Sequence, residues 1–214
     1  SSSLWYSMKD NYIDDPEKFL FISNFFSLIH DNSLWTMTGP LDGWRARITA
    51  GPTYDFSRGR YHNFTTWIDL RSYWQIRPRI TLAQRTMIWM NEGKDIQRYY
   101  IGGSWGIRGY RWSEIKGRKM VMLNHELRFP FAQKLEMNFK SGSFWLAPIR
   151  GAIFLDLGNA WEQEFPGFLS STGLGFRAAL MGALVFRLDL GWKAEYVNIR
   201  PQEKFVQFFF GWDF

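Results

Sequence analysis

The chain has 214 residues, enough for one domain or two small ones, and 19% of them are aromatic, with 12 Trp and 20 Phe, more than a soluble core of this size uses. Twenty-six Lys and Arg against 20 Asp and Glu leave a formal charge of +6, which brings nucleic acid or an anionic lipid surface into view as partner classes. No Cys is present, so disulfide scaffolds, thiolate metal sites and Cys nucleophiles are excluded, and the three His (His30, His62 and His125) offer little material for a metal. No run approaches the 18 apolar residues of a spanning helix, which leaves spanning strands untouched, because these need only about 9–11 residues and alternate lipid-facing with inward side chains. The start, Ser1 to Trp5, has neither the basic head nor the apolar run of a signal peptide, as expected of a mature or truncated piece.

Period-two alternation organises the chain. Residues 1–17 read as an N-terminal segment in which Leu4 to Met8 could add a strand, and Phe19 to Asp31 reads as a strand with irregular faces. Trp44 to Phe56 is clear: Trp44, Ala46, Ile48, Ala50, Pro52, Tyr54 and Phe56 share one face, Arg45, Arg47, Thr49, Thr53 and Asp55 the other. After the turn signal Asp55 to Gly59 come Phe64 to Ile76 and the less regular Ile80 to Asn91. Over residues 92–118 the alternation stops, and this long connection carries Gly102, Gly103, Ile107, Arg108, Gly109 and Tyr110 among several rings, so it reads as a folded functional loop. Alternation resumes through Val121 to Phe131, Ile149 to Trp161 and Thr172 to Leu180, with Ser170 and Ser171 read as turn residues. Leu184 to Tyr196 sets Leu184, Phe186, Leu188, Leu190, Trp192, Ala194 and Tyr196 against Arg187, Asp189, Lys193 and Glu195. After a turn at Asn198 to Pro201, the last strand carries Val206, Phe208, Phe210, Trp212 and Phe214 on one face.

The expected fold is therefore all-β and antiparallel, with about nine or ten strands. A soluble β-sandwich also alternates. Two features favour a transmembrane β-barrel. Rings crown the apolar face near strand ends (Trp44, Tyr54, Phe56, Trp74, Trp161, Trp192, Tyr196) like interfacial girdles, and charges sit mid-strand on the opposite face (Asp69, Arg71, Glu126, Arg128, Arg150, Asp156, Arg177, Arg187, Asp189). Strands of about thirteen residues exceed the usual 5–6 of globular sheets.

Gly102-Gly103 with Ile107-Arg108-Gly109-Tyr110, then Asn124 to Phe131, then Phe154-Leu155-Asp156-Leu157-Gly158-Asn159-Ala160-Trp161, and a closing Phe214, resemble the C-terminal barrel of the BamA/TamA family over residues 18–214. The resemblance implies a bacterial outer-membrane protein of the barrel-assembly and protein-translocation class, non-enzymatic and without cofactor or metal. It implies a sixteen-stranded barrel of which this chain is the C-terminal part, the favoured reading over a small closed barrel or a ring of two copies. It also implies that the long loop, on the extracellular side or folded inward from it, enters the lumen. There Arg108 would pair with the acidic residues Asp156 and Glu126, while Phe208, Phe210, Trp212 and Phe214 would form a C-terminal assembly signal. Implied partners are outer-membrane lipid and lipopolysaccharide, nascent barrels or secreted substrates, and accessory lipoproteins or an upstream soluble domain. Nucleic acid is not among them, since the Arg residues are dispersed along the strands rather than clustered. An outer-membrane hydrolase and a soluble binding sandwich stand as alternatives. The carboxylates Glu162 and Glu164 precede the Pro166-Gly167 turn and read as a solvated loop, and Gly173-Leu174-Gly175 lacks a nucleophile-elbow serine.

Overall fold

The computed structural model describes residues 2–9, 17–36, 39–94, 97–132, 135–139, 142–146, 148–180, 184–195 and 203–211. The chain forms β1 (Ser2–Lys9), β2 (Glu17–Asn24), β3 (Phe26–Asp31), β4 (Leu34–Thr36), β5 (Gly39–Asp55), β6 (Arg60–Arg77), β7 (Ile80–Gly93) and β8 (Tyr99–Ile101). It continues with β9 (Ile115–Gly117), β10 (Lys119–Ala132), β11 (Leu135–Phe139), β12 (Gly142–Leu146), β13 (Ile149–Trp161), β14 (Leu169–Leu180), β15 (Leu184–Glu195) and β16 (Glu203–Gly211). One antiparallel sheet runs β1-β2-β5-β6-β7-β10-β13-β14-β15-β16. β2, β3 and β4 lie end to end along β5, opposite Thr53–Asp55, Arg45–Ala50 and Gly39–Asp42 in turn, and so share one place in the sheet. The order across the sheet thus has ten places, within the nine or ten strands that the alternation predicts. Among the described residues no pairing joins β1 to β16, so the sheet is open.

Long strands meet at short turns. β5 has 17 residues and β6 has 18, longer than a bilayer crossing requires. Between β5 and β6 the Asp55 carboxylate accepts from the Arg58 amide at 3.1 Å, and between β6 and β7 only Pro78 and Arg79 intervene, Arg79 at φ +66°. Two elements carry no alternation signal: the hairpin of β11 and β12, and the small β8–β9 hairpin inside the long loop. β14 starts at Leu169, so Ser170 and Ser171 are strand residues rather than turn residues.

The sheet is polar where a soluble protein is apolar. Along β15 Arg187 and Asp189 are buried at 6% and 1% exposure, while Leu188 and Leu190 between them are each 37% exposed. On β13 Arg150 and Asp156 are buried and Ile153 and Leu155 exposed, and on β6 Asp69 is buried and Leu70 exposed. Of the girdle rings, Trp44, Tyr54, Phe56, Trp74 and Trp192 are exposed, and Trp161 packs edge-on against Phe165 at 4.8 Å. Tyr196 lies outside the described residues.

Curvature makes the polar face the inside. β13 and β16 are three places apart, about 14 Å in a flat sheet at the usual strand spacing. Yet the rings of Phe154 and Phe205, one on each, stand 6.3 Å apart. The charged face is therefore concave and closes over its own side chains, and the apolar face is convex.

Candidate functional site

The loop that joins β7 to β10 lies on the concave face. Its base is the β8–β9 hairpin, with Tyr99 opposite Gly117 and Ile101 opposite Ile115. At the tip the Gly103 amide donates to the Tyr110 carbonyl at 2.8 Å and the Gly106 amide to the Gly103 carbonyl at 3.1 Å, which folds residues 103–110 into a closed turn. Gly102, at φ +132°, passes so close to the Arg111 carbonyl that a Cβ would collide with it. Ile101, Ile107, Tyr110 and Ile115 are buried together with Met87, Met120, Met122 and Ala160 of the strands beneath, and Trp67, Trp89 and Tyr99 pack at the margin. Burial pushes the Tyr99 phenol up from its ordinary pKa.

This small apolar core aims the next residue. Ile107 is fully buried, so Arg108 is driven against the sheet, where it is 2% exposed. Its Nε donates to Asp156 Oδ2 at 2.6 Å, its Nη2 to Asp156 Oδ1 at 2.6 Å, and its backbone amide to Asp156 Oδ2 at 3.1 Å. Its Nη1 donates to Glu126 Oε1 at 2.7 Å and stands 3.7 Å from Asp189 Oδ1. The guanidinium lies over the Phe154 ring at 3.6 Å. Burial alone would weaken this charge, but the carboxylates of Asp156 and Glu126 outweigh it, and the Arg108 pKa rises above its ordinary value.

Neighbouring strands complete both carboxylates. Asp156 accepts from Asn124 Nδ2 at 2.9 Å and from the Ser171 hydroxyl at 3.3 Å. Glu126 accepts from Arg128 Nε at 2.8 Å and from Arg177 Nη2 at 2.9 Å, and Arg187 donates to Asp189 at 2.7 Å. A buried ion pair is tolerable only when the remaining lone pairs and protons are also satisfied, and here three strands, β10, β14 and β15, supply those partners.

The other side of the tip rests on the last strands. The Gly109 amide donates to Gln207 Oε1 at 3.1 Å, the Tyr110 hydroxyl donates to the Ala194 carbonyl at 3.0 Å, and Trp105 meets Phe209 edge-on at 5.0 Å. Gly109 sits at φ +85° with its α-carbon against the Phe205 ring, where a Cβ would lie 2.5 Å from that ring.

Arg108, Asp156 and Glu126 thus share one buried cluster, Gly102 and Gly103 form the entry to the tip, and Ile107, Gly109 and Tyr110 pack around it. Phe208 and Phe210 are elsewhere, exposed on the convex face of β16, and Trp212 and Phe214 lie outside the described residues. Several members escaped the sequence reading. Gln207, Phe205 and Phe209 occupy the alternate positions of the last strand, opposite the aromatic stripe, and a polar Gln207 set between two rings in that row was the available signal. Met120 and Met122 fall on a face that is otherwise polar, and nothing in the sequence says that a loop covers them.

A model of the Omp85 superfamily domain matches residues 25–214. No curated protein matches the chain.

Proposed function

The chain belongs to the Omp85 superfamily of outer-membrane assembly and translocation proteins, in keeping with the BamA/TamA-type motifs it carries, and from that premise we propose that it serves in the bacterial outer membrane to insert or translocate other proteins, without covalent chemistry. In this reading the convex apolar face meets lipid and lipopolysaccharide, and the concave face lines a lumen into which the loop inserts. β16 forms one side of a lateral seam. A nascent or secreted strand pairs with the open edge by β-augmentation, which draws its affinity from backbone hydrogen bonds and needs no catalytic residue. Accessory lipoproteins or an upstream soluble domain would deliver the substrate.

The observation that carries this reading is the double attachment of the loop tip. Arg108 is held by Asp156 and Glu126 on β13 and β10, while the adjacent Gly109 rests on Gln207 and Phe205 of β16. One short turn therefore touches both the fixed wall and the proposed seam strand, so its anchoring and the freedom of that strand are mechanically linked.

The test is Arg108→Ala in the full protein, read by limited proteolysis of the loop, by an assembly or translocation assay, and by heat-modifiable gel mobility as a check on the strands. The expected result is a protease-sensitive loop and reduced assembly or translocation with the compact gel form retained. Unchanged activity with a protected loop overturns the reading.

A further inference from the structure

One carboxylate oxygen beside the clasp is unused. Asp189 on β15 is 1% exposed, and its Oδ2 accepts from Arg187 Nε at 2.7 Å, but its Oδ1 is buried and has no hydrogen-bond partner among the described residues. A buried carboxylate oxygen without a donor is costly, so such a group calls for a reason. Arg108 Nη1 stands 3.7 Å from it, about 1 Å beyond good hydrogen-bond distance, while the same nitrogen donates to Glu126 Oε1 at 2.7 Å.

Carrying Nη1 across to Asp189 orphans nothing. Asp156 keeps its three donors from Arg108 and acts as the pivot. Glu126 Oε1 still accepts from Arg177 Nη2 at 2.9 Å, and Oε2 from Arg128 Nε at 2.8 Å. Arg187, which holds Asp189 Oδ2, has its Nη2 3.9 Å from Glu126 Oε1 and so faces both carboxylates. On β14, Gly175 lies directly opposite Asp189, and a Cβ there would stand 2.6 Å from Oδ1, so the missing side chain gives this oxygen room. On the other side of Asp189 in the ladder is Gln207 of β16, the residue that accepts from the Gly109 amide at 3.1 Å. The unused oxygen therefore sits on the strand between the clasp and the proposed seam strand.

We infer that Asp189 is a second seat for Arg108, a positioning residue for the loop tip. With Gln207 in place, Arg108 sits on Glu126; when β16 withdraws and Gly109 is released, Nη1 passes to Asp189 Oδ1 while Asp156 keeps its grip. The loop then stays anchored on the concave face with its tip advanced toward the strand that has moved, instead of coming free. Two discrete arrangements of one side chain, biased by a neighbouring strand, form an element that both sites can shift. The inference rests on the seam reading for what releases the tip. Hydrogen exchange needs no assembly activity, so loss of the second seat and loss of the seam reading are told apart.

The experiment is hydrogen exchange, read by mass spectrometry over residues 103–110 of the full chain folded in detergent, for Asp189→Asn in the wild-type and Gln207→Ala backgrounds. Asp189→Asn is expected to speed tip exchange by less than about threefold with Gln207 present, and by about tenfold or more in Gln207→Ala, where the second seat is occupied. Adding Arg108→Met to Gln207→Ala should abolish the Asp189→Asn effect, which a merely structural role of Asp189 in the sheet would leave in place. Should Asp189→Asn fail to reach the compact gel form, Arg187→Gln is added to it, which removes both charges of that pair and leaves neither buried alone, and the same comparison decides. Equal effects in the two backgrounds mean a permanent partner, no effect in either means that Oδ1 is satisfied by water, and an effect that survives Arg108→Met means that Asp189 acts through the sheet; each of these overturns the proposal.

Discussion

Arg108 grips Asp156 at three points, through Nε, Nη2 and the backbone amide, so side chain and main chain of one residue converge on one carboxylate. Geometry of this kind fixes the loop backbone as well as the side chain. Asp156→Asn keeps the shape and removes the charge, and breaking a buried pair at one end costs about 3–5 kcal/mol because the remaining charge is left uncompensated. The expected loss is toward the lower end, since Glu126 still holds Arg108 Nη1. The double variant Arg108→Met with Asp156→Leu is expected to recover much of it: Glu126 retains Arg128 and Arg177, so no charge is orphaned. Urea unfolding in detergent of the wild type, the single variants Arg108→Met and Asp156→Leu and the double variant measures the coupling.

Gly109 tests the attachment to the last strand. At φ +85° with a Cβ position 2.5 Å from the Phe205 ring, Gly109→Ala meets two obstacles, backbone strain and a steric clash. Strain at a left-handed position costs about 1–3 kcal/mol. The expected outcome is faster hydrogen exchange across residues 103–110 with the sheet unaffected. Phe205→Leu added to Gly109→Ala removes the clash and leaves the strain, so it should restore protection only in part.

Much of this architecture was legible because its pattern is local. A strand buried on one face writes itself as alternation, and Arg187, Leu188, Asp189 and Leu190 place charge and apolar bulk on opposite faces before any tertiary contact is known. The long loop was equally visible as a break in that pattern. The loop's landing place was not. Met120 and Met122 sit in inward register with no polar partner beside them, and their burial under Ile107 depends on a contact that the strand pattern does not encode. Resemblance to a family supplied the pairing of Arg108 with Asp156 and Glu126 as an expectation, and Arg128, two residues from Glu126 on the same face of β10, is within reach by alternation alone, but the tie of Glu126 to Arg177 follows only from curvature that brings β10 and β14 side chains together.

The covered apolar core predicts a second route to a loosened loop. Met122 is fully buried between the sheet and the loop, and Met→Ala in such a place costs about 2–5 kcal/mol. The loss should appear in the loop rather than in the barrel strands. Limited proteolysis of Met122→Ala is expected to cut within residues 94–118 while the heat-modifiable band persists. Met122→Leu, which conserves volume, should behave as wild type within about 1.5 kcal/mol.

The reversed faces of β15 make the sharpest distinction between a membrane wall and a soluble sheet. Leu190 is exposed on the convex side, flanked along the strand by exposed Leu188 and Trp192. In water, Leu190→Arg would be close to neutral, because surface substitutions away from special features change stability by about 0.5 kcal/mol or less. Facing hydrocarbon, the same change costs about 2–4 kcal/mol near the bilayer midplane and falls toward zero near the interfaces. Trp192, two residues on toward the strand end, should therefore tolerate Arg better than Leu190 does. The measurement is urea titration of the folded chain in phospholipid vesicles for Leu190→Arg and Trp192→Arg. A larger penalty at Leu190, vanishing when both variants are compared in a detergent micelle with its softer hydrocarbon boundary, is the expected depth signature; equal and negligible penalties in vesicles would mean that the convex face does not meet lipid.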